Sequence, residues 1–268
     1  DIVLVNAGSS AGREDFTSAV VKNLGELLVH GVAIFPGKPT ILGVGKTASG
    51  EVKPLIGIPG YPVSAALALQ EFVRPLMAHM AGAPGQEHET AIAVMSRKSA
   101  SRLGMEEFLR VKLGEVGGRL VALPAKRGAS VITSLVEADG IVRIPPGSEG
   151  IEAGEEVRVE LLRPLNEIRG NILMAGSHDN AIDLLASRVR TRFREISLST
   201  SAVGSMAGLM AVKGGEAHLA GSHLLDPETG DYNWSYIRRY LKGRETIVVN
   251  FVQREQGIFL PPGNPKGI

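Results

Sequence analysis

Residues 30–45 read HGVAIFPGKPTILGVG and set a Pro-Gly-Lys-Pro corner, residues 36–39, between two apolar runs. A similar corner, Pro-Gly-Tyr-Pro at residues 59–62, follows another apolar run. Short apolar runs bounded by proline and glycine are typical of buried strands. Because ligands of open α/β sheets bind at strand ends, we expect two such corners and Lys38 to form an anion site at one sheet edge. The alternative is two rigid turns with Lys38 in solvent.

A glycine- and serine-rich loop follows the first apolar run, DIVLVNAG. A strand, a glycine-rich loop and a helix bring backbone N–H groups to a helix N-terminus, which suits phosphate or another anion. Asp15 near the helix start either holds a metal ion or caps the helix as part of a simple tight turn. Apolar residues at helical spacing after the loop predict the helix: Phe16, Val20, Leu24, Leu27 and Leu28.

The pattern of apolar runs and turn signals divides the rest of the chain into three segments. Strands alternate with helices up to the polar linker at residues 81–90, and a second helix is predicted after Pro62, which favours a parallel α/β sheet. Residues 91–163 hold short apolar runs separated by turn signals, as in a small all-β barrel or sandwich. Residues 168–268 again predict α/β structure, with two further strands within residues 245–264.

Composition excludes several classes of protein. The net charge is +1 and aromatic residues are 4% of the chain, so neither nucleic-acid nor membrane binding is indicated. The absence of cysteine excludes disulfides and thiolate metal sites. No basic n-region precedes the first apolar run, so we expect a cytoplasmic protein. We interpret the start, which lacks a Met, as internal to a longer chain.

Three segments together resemble the MoeA / gephyrin E-domain family of molybdopterin molybdenumtransferases: NAGSSAGREDF, HGVAIFPGKP and IGIPGYPVSAAL. They match its third domain in order and spacing, and EEFLRVKL with SLVEADGIVRIPPG resembles its fourth domain. GSHDNAIDLL and the sequence after it resemble a periplasmic-binding-protein-like module fused to some members. The resemblance implies a partial three-layer parallel-sheet domain at residues 1–85, a small β-barrel at 88–163 and a partial α/β periplasmic-binding-protein-like domain at 168–268.

The resemblance also implies a function in molybdenum cofactor biosynthesis. Family members insert molybdate into adenylylated molybdopterin with release of AMP, assisted by Mg²⁺, as homodimers whose active site uses upstream domains. We therefore expect a molybdopterin molybdotransferase whose present segment can be inactive alone. Ala7 and Tyr61 stand where the family has glycine and asparagine. Asp15 and Lys38 carry over as catalytic residues and Asp15 as the metal ligand, and the cofactor-binding residues are Gly8, Ser9, Ser10, Gly12, Lys38, Pro59 and Pro62.

Two other functions stay open. The third unit can be a molybdate or tungstate sensor or carrier joined to a degenerate transferase part. Ser177 precedes a helix predicted to start near Asp179, Ser205 stands where another helix begins, and their hydroxyls suit an oxyanion. The alternative for both serines is helix capping. An adenylyltransferase of the MogA type is also conceivable, although the Pro-Gly-Lys-Pro corner and the β domain favour insertion. His218 and His223 are interpreted as structural.

Overall fold

The chain folds into three units that follow one another along the sequence. The structure is a computed structural model that describes all residues except 7–15, 86, 126–127, 129, 131 and 254–256. The elements of the first unit are β1 Val3–Asn6, α1 Thr17–Leu24, β2 Gly25–His30, β3 Ile34–Phe35, β4 Ile41–Lys46, β5 Val52–Ile58, α2 Pro62–Ala68, a π-helical turn Leu69–Val73 and α3 Arg74–Met80.

The first sheet has the strand order β1-β5-β4-β2. The predicted α/β class is confirmed, and β1 pairs with β5 in parallel. The strand β4, however, runs antiparallel to both β5 and β2, so this sheet is mixed. The reason is the connection length, because residues 47–51 are far too few for the crossover that a parallel pair needs. Strand β2 also replaces the second half of the predicted helix, which ends at Leu24 before Gly25.

Helices cover both faces of this sheet, as a three-layer domain requires. On one face Val21 of α1 packs with Ile41 and Leu55. On the other face Ile56 packs with Ala68 of α2. Neighbouring residues of β5 point to opposite faces of the sheet, which is why its apolar run is continuous rather than alternating.

The second unit is a closed β-barrel, which confirms the all-β prediction. Five strands close through the order β10-β12-β6-β9-β8 and a β8–β10 pairing, and β3 of the first unit adds alongside β8. Closure leaves few free strand edges. The elements are β6 Thr90–Met95, β7 Ser99–Ala100, β8 Glu106–Val116, β9 Arg119–Pro124, α4 Thr133–Val136, β10 Gly140–Ile144, β11 Gly150–Ile151 and β12 Glu156–Leu161.

The third unit has a parallel sheet of order β14-β13-β15, so its predicted α/β character is confirmed. The two strands predicted near the end are wrong for the described residues, where Ile247 and Phe259 are exposed. β-prone residues form a strand only against a partner strand. The elements are α5 Leu165–Arg169, β13 Asn171–Gly176, α6 Asn180–Arg192, β14 Ser197–Ala202, α7 Ser205–Gly214, β15 Leu219–Gly221 and α8 Trp234–Tyr240.

The third unit packs directly on the barrel through β13 and β8. A Cβ on Gly114 would lie 2.7 Å from Leu173 and 2.8 Å from the Asn171 carbonyl, so only glycine permits this approach. Asn171 is buried and donates to the Leu113 carbonyl at 2.6 Å. In the described parts of the chain, every helix is too short or too polar to cross a bilayer. The domain boundaries stay predictions.

Candidate functional site

The predicted loop of the first unit lies outside the described residues, which end on one side at Asn6 and resume at Phe16. Asn6 pairs with Ile58, the last residue of β5, so the chain enters the loop at the sheet edge where the second corner begins. The residues concerned are Gly8, Ser9, Ser10, Gly12 and Asp15.

The first corner has a fixed backbone that presents Lys38 to solvent. Gly37 has φ +129°, and a Cβ there would lie 2.7 Å from Cδ1 of Ile34. Thr40 donates to the Gly37 carbonyl from both its backbone N (3.1 Å) and its hydroxyl (2.7 Å). The backbone N of Val32 donates to the Lys38 carbonyl at 2.9 Å. The Lys38 side chain is exposed, so its charge extends into solvent from a hydrogen-bonded turn.

The second corner meets the first at the same edge of the sheet. Pro59 is buried, and Pro62 is exposed and begins α2, as predicted. Ile41 at the start of β4 pairs with Gly57 near the end of β5, so the antiparallel pairing, rather than the expected parallel one, brings the corners together. A Cβ on Gly37 would lie 4.0 Å from the carbonyl oxygen of Ser64, which measures how close the two turns are.

An arginine cluster next to these corners was missed by sequence reasoning. Nη2 of Arg143 donates to both carboxylate oxygens of Glu71 at 2.9 and 3.0 Å, and its Nε donates to Glu160 at 2.6 Å. Glu106 lies 3.5 Å from Nη1. Burial raises the pKa of the Glu71 carboxyl despite Arg143, and the other two carboxylates add to the rise. These residues lie far apart in sequence and share no motif.

The third unit brings Ser177 and Ser205 together at the carboxyl edge of its parallel sheet. Their hydroxyl oxygens are 2.7 Å apart. The Ser205 hydroxyl also accepts from the backbone N of His223 at 3.1 Å and lies 3.3 Å from Nδ1 of that ring. Ser177 follows β13, Ser205 follows β14 and His223 follows β15. The sequence order reverses around the central β13, the position at which such sheets bind ligands.

Glycines allow this close arrangement of strand ends and helix. Gly176 ends β13 with φ +138°, and a Cβ there would meet the Gly221 carbonyl at 2.3 Å. Gly208 lets α7 lie on the backbone of β13, since a Cβ would be 2.7 Å from the Ala175 carbonyl. Asp179, not Ser177, caps α6 by accepting from the backbone N of Ala181. The capping interpretation is therefore wrong for Ser177 at α6. It is also wrong for Ser205, because Gly204 occupies the N-cap position of α7.

The two histidines have separate surroundings. The backbone N of Leu173 donates to Nδ1 of His218 at 3.0 Å, so the His218 Nε2 carries the proton and donates to the Glu115 carbonyl of the barrel at 2.9 Å. His223 instead bonds to Ser205. Among the residues that the structure describes, no group of three His, Asp or Glu side chains is placed to hold a metal ion.

Family models match each of the three units. Residues 1–79 match the model described as "probable molybdopterin binding domain", and residues 93–162 match the C-terminal region, domain IV, of MoeA. Residues 186–268, in the third unit, match a model described as a PBP superfamily domain.

Curated relatives and a solved structure are similar to about three fifths of the chain. The chain is 34% identical over 164 residues to MJ0666 of Methanocaldococcus jannaschii, a protein named for molybdopterin biosynthesis, covering 61% of this chain and 37% of that protein. It is 31% identical over 175 residues to the molybdopterin molybdenumtransferase of Haemophilus influenzae, covering 63% and 41%. A crystal structure of the MoeA protein from Pyrococcus horikoshii matches with 37% identity and a TM-score of 0.47, covering 61% and 37%. The chain thus spans about two fifths of the length of the relatives it matches.

Proposed function

We propose that this chain is part of a molybdopterin molybdotransferase, which inserts molybdate into adenylylated molybdopterin and releases AMP. The observation that carries the proposal is the meeting of the two proline-glycine corners at one sheet edge, with the exposed Lys38 between β3 and β4. In support, the relative from Haemophilus influenzae is named molybdopterin molybdenumtransferase. In this proposal the reaction takes place in the cytoplasm.

The proposed reaction requires the protein to neutralise negative charge on its substrates. Phosphoryl displacement depends on positioning and on balancing negative charge more than on a protein nucleophile. The Lys38 ammonium would neutralise charge on the adenylate phosphate or on molybdate. An oxygen of molybdate would attack the adenylate phosphorus, the P–O bond to the molybdopterin phosphate would break, and water would then cleave the mixed anhydride to AMP and molybdate. The buried Pro59 and the helix start at Pro62 would shape the wall on which the pterin rests.

The loop before α1 supplies the remaining proposed contacts. Gly8, Ser10 and Gly12 would offer N–H and hydroxyl donors to the pterin side, and Asp15 would bind Mg²⁺, which supplies further charge neutralisation when bound. Asp15 lies outside the described residues, and the described part of the chain holds no metal-ligating cluster. No step is therefore assigned to the metal. The homodimer that the family resemblance implies is part of the same proposal.

The test is AMP release from adenylylated molybdopterin with and without molybdate. It is measured for the 268-residue chain and for the same chain extended by the upstream domains that the family resemblance implies. We expect molybdate-dependent release from the extended protein, loss on Lys38→Ala, and no loss on Lys46→Ala, an exposed lysine at the opposite end of β4. Unchanged release by Lys38→Ala would remove Lys38 from the reaction.

A second candidate function belongs to the third unit, where an oxyanion would bind at the hydroxyls of Ser177 and Ser205. The observation that favours it is their 2.7 Å approach at the end of the central strand. Calorimetric titration with molybdate, tungstate, sulfate and phosphate separates this function from the first, because it requires no pterin. Ser177→Ala should abolish binding, whereas Ser187→Ala on the exposed face of α6 should not.

A further inference from the structure

Arg143 on β10 joins carboxylates from three different elements. Glu71 comes from the π-helical turn of the first unit, Glu106 from the start of β8, and Glu160 from β12. The guanidinium lies over the ring of Phe108, 4.6 Å from its centroid. The fork of donors and the aromatic face together hold the guanidinium in one place.

Two of the carboxylates that Arg143 contacts lie on, or pair with, the segments that carry the two corners. Glu71 lies in the helical stretch that begins at Pro62, the last residue of the second corner. Glu106 pairs with Ile34 in β3, two residues before Pro36 of the first corner. One barrel arginine therefore contacts the chain after one corner and the strand beside the other.

We propose that Arg143 is a positioning residue that fixes the two corners relative to each other through Glu71 and Glu106, and thereby holds Lys38 against the wall at Pro59 and Pro62. This inference rests on the proposed function of the corner site. Arg143 is assigned no contact with substrate. It acts through the two segments that it joins.

Apolar side chains hold the first unit against the barrel, whereas the polar contacts of Arg143 determine how the two units are oriented. Ile34, Val63 and Phe108 form a buried cluster at this junction. Apolar contact is not directional. Arg143 instead reaches Glu71 from Nη2, Glu160 from Nε and Glu106 from Nη1, and three contacts from three different nitrogens fix both distance and orientation. Loss of the guanidinium should therefore loosen the corners without separating the units. Lysine has a single nitrogen, so it cannot contact all three carboxylates from three separate donor atoms.

The chain has no cysteine, which permits spin labels at two introduced positions. Tyr61→Cys at the second corner and Leu103→Cys beside the start of β8 are both exposed sites. Their distance distribution, measured by pulsed electron paramagnetic resonance in the 268-residue chain, should be a single narrow population. We expect Arg143→Met and Arg143→Lys to broaden it at least twofold. Arg158→Met, an exposed arginine on β12, should leave it unchanged.

An unchanged distribution in both Arg143 variants would overturn the proposal. If Arg143→Met does not fold, Glu71→Ala takes its place, because it removes the helix-side bond and leaves Arg143 with Glu106 and Glu160. In the extended protein, Arg143→Met should lower kcat for AMP release about tenfold, whereas Arg158→Met should leave it unchanged. Equal kcat values in the two variants would also overturn the proposal. Broadening without any AMP release from the parent would leave the positioning role intact and refute the proposed function alone.

Discussion

Arg143 donates to both carboxylate oxygens of Glu71, at 2.9 and 3.0 Å, across the boundary between the sheet unit and the barrel. The Glu71 side chain is 17% exposed and that of Arg143 is 33% exposed. Glu106 and Glu160 face the same guanidinium, so one positive charge is set against three carboxylates. Oε2 of Glu160 is buried and has no hydrogen-bond partner within the described structure. The cluster is therefore short of positive charge, and its members depend on Arg143.

Removing Arg143 should destabilise the chain more than removing an ordinary surface arginine. Arg143→Met leaves three carboxylates without their common partner, and breaking a fully buried pair costs about 3–5 kcal/mol. Because a third of the arginine is exposed, we expect a loss of about 2 kcal/mol in the free energy of unfolding. Urea denaturation measures it, with Arg158→Met expected to change stability by less than about 0.5 kcal/mol. Equal losses in the two variants would contradict the account.

Glu71 should make stability fall as pH rises. Burial raises its pKa above the ordinary value of 4.5 in the folded state, so the folded chain holds this proton more tightly than the unfolded chain. Its stabilising contribution is complete below 4.5 and is lost as pH rises through the raised pKa. Burial likewise raises the pKa values of Asp139 and Glu216, so the difference between wild type and Glu71→Gln isolates Glu71.

That difference is obtained from urea denaturation of both proteins at intervals from pH 4 upward. Wild type should lose stability relative to Glu71→Gln across the titration window. If wild type instead gained stability relative to Glu71→Gln as pH rises, attraction to Arg143 would outweigh the effect of burial on Glu71, and the prediction would be wrong.

Asn171 should hold the third unit on the barrel. Its Nδ2 donates to the Leu113 carbonyl at 2.6 Å and to Ser199 Oγ at 2.9 Å, and it lies 3.3 Å from the Asp139 carboxylate. Asn171→Ala leaves buried acceptors unpaired and should cost about 1–3 kcal/mol. Asn171→Asp should cost more at neutral pH and recover on acidification, since it sets a second carboxylate beside Asp139. Thermal denaturation across pH tests both, with the exposed Asn166→Ala as the neutral control.

Gly37 should tolerate no side chain. Gly37→Ala combines a φ of +129° with a Cβ 2.7 Å from Ile34, whereas Gly50 has φ +82° and open space around it. Backbone strain alone costs about 1–3 kcal/mol. We expect Gly50→Ala to show only that cost and Gly37→Ala to exceed it, because Ile34 must also move within a packed cluster. The denaturation midpoints of the two variants test this difference. Equal midpoints would show that Ile34 moves aside without a cost in stability.

The sequence predicted the units and the strand-end motifs because those depend on local patterns. Local sequence signals predict the helix start at Pro62 and the helices that begin near Asp179 and Ser205. They also predict the all-β character of the second unit. The direction of β4 was missed, although the short 47–51 loop carried the signal. The Arg143 cluster could not be predicted, because positions 71, 106, 143 and 160 meet only after two units dock. The apolar run at 246–252 showed strand propensity, but propensity does not supply a partner.

Ser205 should matter to the structure of the third unit in a way that Ser177 does not. The Ser205 hydroxyl, on a residue only 7% exposed, accepts the backbone N–H of His223 at 3.1 Å. Ser205→Ala leaves that amide without this acceptor, and amide hydrogen exchange at His223 should accelerate markedly. In Ser177→Ala the Ser205 hydroxyl remains, so the exchange rate at His223 should stay within about twofold of wild type. If the His223 amide stayed protected in Ser205→Ala, another acceptor would have replaced the hydroxyl. Ser205 would then have no structural role at His223, and ligand binding would be the remaining role of the Ser177–Ser205 pair.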